Sequence, residues 1–141
     1  MSATIPTGTS VITYGPELVN PATWRNYTAQ YSSFSMVITN ETDPVYNLYQ
    51  SIVDTIDGDP RFLTMEAQVV TNKYYSVTLR AKGNTWLNYF KPGTGYVSVG
   101  TITSSWKLFN FFTYGYGNSI LFEMSLATIN VQLLSIREVL S

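Results

Sequence analysis

The chain has 141 residues, the size of one ordinary domain, and 45% of them are hydrophobic, so a core can form without metal or disulfide. It contains no cysteine and no histidine, which excludes disulfides, thiolate nucleophiles, Cys-ligated metals and every Ser-His triad. Eight basic and nine acidic residues leave a formal charge of −1 with no Lys/Arg cluster, so neither nucleic acid nor an anionic membrane is an expected partner.

Residues 1–16 read as a polar N-terminal arm or linker, broken by Pro6 and Gly8, with a short strand possible at Val11–Tyr14 before the Gly15-Pro16 turn. Val11 and Ile12 are candidate contacts to a neighbouring chain. Residues 17–141 then form a single domain. From Phe34 the chain repeats runs of five to nine β-branched and aromatic residues separated by turn chemistry. Phe34–Thr39 sets Phe34, Met36 and Ile38 against Ser35, Val37 and Thr39. Val45–Ile52 sets Tyr46, Leu48 and Ile52 against Asn47 and Tyr49. Leu63–Val70 places Leu63, Met65, Ala67 and Val69 inward. Tyr74–Lys82 gives the cleanest period-2 pattern, with Tyr75, Val77, Leu79 and Ala81 inward.

Further strands are expected at Trp86–Phe90, Tyr96–Ile102, Trp106–Phe112, Ser119–Leu126 and Val131–Val139. The last run could be drawn as a helix, but its β-branched content favours a strand. No segment approaches 18 apolar residues, and the first ten residues carry no basic start or apolar run, so neither a membrane-spanning helix nor a signal peptide is expected. About eight to nine strands with frequent turns describe an all-β antiparallel sandwich or barrel.

Three segments carry a family resemblance. Gln68–Asn84 is similar to a Gln, strand, turn, Tyr, strand, Ala-Lys-Gly pattern; Thr103–Phe112 holds Trp106, Lys107, Phe109 and Phe111; Ile120–Val139 closes on Leu134-Ser-Ile-Arg-Glu-Val139. With Glu17-Leu18-Val19-Asn20 and Trp24 near the start, they resemble the galactose-binding-like jelly roll, specifically the carbohydrate-binding modules that accompany xylanases and glucanases. The resemblance implies a jelly-roll sandwich and a sugar partner. It also implies a structural calcium held near a closing Ile-Asp-Asp-Val, but here that stretch is Ile136, Arg137, Glu138 and Val139, and a cation opposes Ca²⁺. Asp54, Asp57 and Asp59 lack the spacing of an EF-hand loop and read as an Asp/Gly turn. No metal or other cofactor is expected.

Eleven Tyr, seven Phe and three Trp supply the candidate chemistry. Sugar C–H faces stack on such rings while amides and carboxylates orient the hydroxyls. The polar strand faces carry Asn47, Tyr49, Glu66, Gln68, Arg80, Trp86 and Glu123, which form a glycan groove if they converge on one sheet. Trp106 is expected in the core, Trp24 in the core or over a sandwich edge, and Trp86 is the best ligand candidate of the three. Tyr114 and Tyr116, in a Gly-rich loop, suit a protein interface. Glu66 and Glu123 are the carboxylates set within strong strands, and nothing in the sequence near them argues for split acid and base roles, so no catalysis is expected. The sequons at Asn26 and Asn40 read as coincidence in a Thr-rich chain.

Two readings follow. One is a non-catalytic structural or binding protein of a virus particle, such as a bacteriophage tail, baseplate or head-decoration component, partnered by other virion proteins or by copies of itself. The other is a free-standing carbohydrate-binding module or lectin outside the cell. A Met1 start without a signal and the low charge weigh toward the virion.

Overall fold

The computed structural model describes residues 11–31, 36–55, 60–64, 69–125 and 127–140. A 3₁₀ turn, Trp24–Tyr27, precedes ten strands: β1 Thr28–Gln30, β2 Met36–Asp43, β3 Asn47–Asp54, β4 Arg61–Thr64, β5 Tyr74–Gly83, β6 Leu87–Lys91, β7 Gly95–Ser98, β8 Lys107–Tyr114, β9 Ile120–Met124 and β10 Thr128–Glu138. They form two five-stranded antiparallel sheets, in the orders β1-β4-β9-β6-β7 and β2-β3-β10-β5-β8. The chain changes sheet at seven of its nine strand connections, and only β2–β3 and β6–β7 are hairpins within a sheet. That is a jelly-roll sandwich.

Alternation decides which side chains meet in the middle. Along β5, Tyr75, Val77, Leu79 and Ala81 are buried while Tyr74, Ser76, Thr78, Arg80 and Lys82 face outward, as their spacing predicts. From the first sheet, Phe62, Leu87, Tyr89, Ile120, Phe122 and Met124 fill the same layer. The sheets are joined by ring contacts: Tyr89 of β6 stacks on Phe111 of β8 at 4.1 Å, and Phe111 meets Phe122 of β9 edge-on. Trp24 is buried and belongs to the same core.

The C-terminal run is strand β10, not helix, and it lies between β3 and β5. The extra strand beyond the expected eight or nine is β1, three residues of Thr-Ala-Gln with too little apolar content to announce themselves. Tyr46 lies in the β2–β3 turn rather than in a strand, because Asp43 Oδ1 accepts the N–H groups of Val45 and Tyr46 and bends the chain there. Trp86 likewise precedes β6, and β7 stops at Ser98 instead of running to Ile102. The inward expectations for Phe34, Met65 and Ala67 lie outside the described residues.

Residues 13–18 run beside the end of β10: Leu140 N–H donates to Thr13 O, Gly15 N–H to Glu138 O, and Leu18 N–H to Ile136 O. Glu17 supports this by accepting the N–H groups of Leu18, Val19 and Ile136. Where the resemblance places a calcium-binding acid, Arg137 donates from Nε to Gly15 O at 2.9 Å. A guanidinium already takes that carbonyl, so these residues do not fit a calcium ion.

Candidate functional site

The seven residues expected to share one groove are divided. Asn47 and Tyr49 on β3 and Arg80 on β5 face outward from the second sheet; Glu123 on β9 belongs to the first. Trp86 sits at the β5–β6 turn, 38% exposed. Glu66 and Gln68 lie outside the described residues. The reason is topological: strands adjacent in sequence sit in opposite sheets, so polar faces similar in sequence point away from each other.

The first sheet's outward face is built around Glu123. Phe122 is turned into the core by its stack on Phe62 at 5.2 Å, so Leu121 and Glu123 face the other way. In register, Arg61 of β4 and Asn88 of β6 flank Glu123 on either side. Asn88 Nδ2 donates to Glu123 Oε1 at 3.2 Å, and Glu123 as a residue is only 9% exposed. A carboxylate offers about four acceptor positions. Among the described residues the amide of Asn88 is its one hydrogen-bonding partner.

Four rings form a connected cluster on the same face. Phe90, two residues beyond Asn88, contacts Tyr96 at 5.2 Å and Tyr116 edge-on at 5.3 Å. Tyr116 shares a hydroxyl–hydroxyl hydrogen bond with Tyr31 at 2.9 Å. The Arg61 guanidinium reaches over the Tyr96 ring at 5.1 Å, and its Nε has no hydrogen-bond partner among the described residues. Burial, above all, raises the Tyr96 phenol, and the Tyr31 hydrogen bond raises that of Tyr116. Both therefore stay neutral donors at ordinary pH. The arrangement offers ring faces beside a carboxylate, an amide and a guanidinium, which suits a ligand with alternating C–H faces and hydroxyls.

Tyr116 thus belongs to this cluster. Its loop is held by the Tyr116–Ser119 bridge and by Thr71 Oγ1 donating to Gly117 O. Tyr114 instead lies on the second sheet's outward face, 4.9 Å from Tyr74. Val11 and Ile12 are exposed just before the segment that pairs with β10. Sequence reasoning missed Tyr31, Arg61, Asn88, Phe90 and Tyr96. Only the register that sets Arg61 and Asn88 opposite Glu123 brings them together, and no local motif encodes it.

The second sheet carries another polar and aromatic group. Trp106, expected in the core, is half-buried on this outward face, because its Nε1–H donates to Asp43 Oδ2 at 3.1 Å. It meets Tyr49 edge-on at 5.2 Å and Tyr46 at 6.0 Å, and Lys82 Nζ lies 5.0 Å from its ring. Arg80 lies over Tyr46 and donates to Gln132 Oε1 at 2.7 Å. Buried Gln132 in turn donates to the carbonyls of Tyr46 and Leu48. The side chains of Tyr46, Arg80 and Gln132 are thus largely engaged with one another.

The fold is a jelly roll of the kind seen in carbohydrate-binding modules. Among solved structures, the tandem CBM22-1–CBM22-2 domain of a Paenibacillus barcinonensis xylanase matches with a TM-score of 0.56 at 14% identity, over 94% of this chain and 49% of that one. The CBM22-1 xylan-binding domain from the same organism matches at 0.53 and 15% identity, over 81% of this chain and 86% of that one. The CBM22-1 and GH10 modules of a Clostridium thermocellum endo-1,4-β-D-xylanase, complexed with xylohexaose, match at 0.56 and 9% identity; 86% of this chain is covered but only 28% of that one. At such identities the likeness is one of fold. No protein-family profile and no curated protein matches the chain.

Proposed function

We propose that this chain is a non-catalytic glycan-binding module whose site is the outward face of the first sheet, with Tyr31, Phe90, Tyr96 and Tyr116 as stacking surfaces and Glu123, Asn88 and Arg61 as hydroxyl partners. The observation that carries it is the nearly buried Glu123, hydrogen-bonded by one amide and close enough to the Tyr96 phenol of the aromatic cluster to act on it electrostatically. Saccharide hydroxyls supply the donors it lacks. The fold shared with xylan-binding domains supports the same reading. The reading of binding without turnover is supported by the fold shared with carbohydrate-binding modules.

The test is a glycan array followed by titration calorimetry on the hits. A hydrogen bond to a charged group contributes about 1.5–3 kcal/mol, so Glu123→Gln should weaken binding roughly ten- to hundredfold. Tyr96→Ala should weaken it comparably with the β-sheet circular dichroism unchanged. Unaltered affinity in both variants removes this face from the site.

For the setting we propose a virus particle, with other virion proteins or copies of the chain as neighbours. The support is the 12% charged content and the exposed Val11, Ile12 and Tyr114. Co-purification with particles tests it; a chain absent from purified particles and recovered free outside cells overturns it in favour of a free lectin.

A further inference from the structure

We propose that the outward face of the second sheet carries a second saccharide-binding site, formed by Trp106 and the polar depression beside it. The inference rests on the glycan reading above but on different residues. A shallow cleft of about 260 Å³ is lined by Lys82, Gly83, Asn84, Ser104, Thr128 and Asn130. Strand alternation turns Lys82 of β5 and Thr128 and Asn130 of β10 outward here, since Ala81, Ile129 and Val131 are buried in the core. Ser104 comes from the loop that delivers Trp106, anchored by Gly83 N–H donating to Thr103 O at 2.9 Å.

No side-chain hydrogen bond among the described residues engages the hydroxyls of Ser104 and Thr128 or the amide of Asn130; Asn84 Oδ1 accepts the Thr128 N–H. Two hydroxyls, two amides and an ammonium thus meet at one depression without a carboxylate on its lining. The Trp106 indole adjoins it through Lys82 and is pre-set as a platform. Its N–H is tied to Asp43, one edge lies against Tyr49, and its ring is held under the Lys82 ammonium. Preorganised rings cost little ordering when a ligand binds. Trp86 stands at the same turn, two residues beyond Asn84. Polar groups that can orient hydroxyls, beside a fixed ring, fit a neutral oligosaccharide. The sandwich separates this face from Glu123, so one chain could hold two glycan strands.

The test places the full chain on a printed array of neutral oligosaccharides beside a first-face double variant, Glu123→Gln with Tyr96→Ala, and that double variant carrying Asn130→Ala or Trp106→Ala. The expected result is that the double variant keeps a subset of bound glycans. Asn130→Ala should weaken these about tenfold, as loss of one or two hydrogen bonds does; Trp106→Ala should abolish them. Asn130→Ala alters no core side chain, so it decides the matter where Trp106→Ala fails to fold. If the double variant binds nothing while the unaltered chain binds, the second site is wrong and the first stands; if neither further change affects the residual binding, the second site is wrong, and the first stands only where the double variant has lost part of the bound glycans. No binding by any form overturns both.

Discussion

Trp106 and Glu123 show how a residue's role depends on what lies across from it. Both occupy strand-like sequence of alternating polarity, and Trp106 looked like core because Phe109 and Phe111 follow it. The indole instead turns outward, where its N–H finds a carboxylate it would lack among Phe111, Phe122 and Leu79. Three tyrosines yield a prediction at this scale. Tyr89 and Tyr96 are raised above the ordinary phenol value of 10.0 first by burial, and Tyr116 first by the Tyr31 hydrogen bond. Neutral phenol is the form the fold favours, so its contribution is complete below the ordinary value and is lost as pH rises through the higher folded values. Alkaline titration by tyrosinate absorbance should show a lagging minority of the eleven tyrosines, and Tyr31→Phe should bring Tyr116 closer to the rest. One uniform transition near 10.0 in the native protein would contradict this.

Among the elements, the β2–β3 hairpin ties the second sheet's outward face together. Asp43 ends β2, bends the turn by accepting the N–H groups of Val45 and Tyr46, and holds Trp106. Its carboxyl is held below the usual range chiefly by those two backbone N–H groups, with the Trp106 hydrogen bond and the Lys82 charge adding to the effect. A lowered acid gives stability that is present above the unfolded value of 3.8 and lost as pH falls through the folded one. Tryptophan emission should therefore shift as the protein is acidified below that value, before global unfolding by circular dichroism. Asp43→Asn should remove the shift, and its persistence in that variant would assign it elsewhere. The hairpin itself was half legible: the alternation in 47–52 was readable, but an aspartate acting as a turn cap, with Asn47 at φ 67°, moved the strand two residues along the chain, to Asn47–Asp54. β5 was readable throughout because nine residues of strict alternation, Tyr74–Lys82, leave one face to bury.

Across the whole molecule, the two sheets cohere through a few large rings. Phe122 stacks on Phe62 within its own sheet and meets Phe111 of the other. Phe122→Ala should cost about 3–5 kcal/mol, as large core truncations do, measured as a lower urea midpoint with an unchanged slope. A loss below about 1 kcal/mol would mean that the interior collapses around the vacancy. The same architecture puts the Glu123 and Trp106 groups on opposite outward faces, so substitutions in one should add independently to substitutions in the other.

By itself the sequence determined an all-β chain without thiol or imidazole chemistry, the inward set of the long strands, and the resemblance to sugar-binding jelly rolls. Those follow from composition and a two-residue period, which act locally. Only the tertiary structure decided which polar residues share a face. Arg61, Asn88 and Glu123 are scattered over some sixty positions and meet because β4 and β6 both pair with β9. Inter-strand hydrogen bonding sets that register, and the register is a property of the assembled sheet.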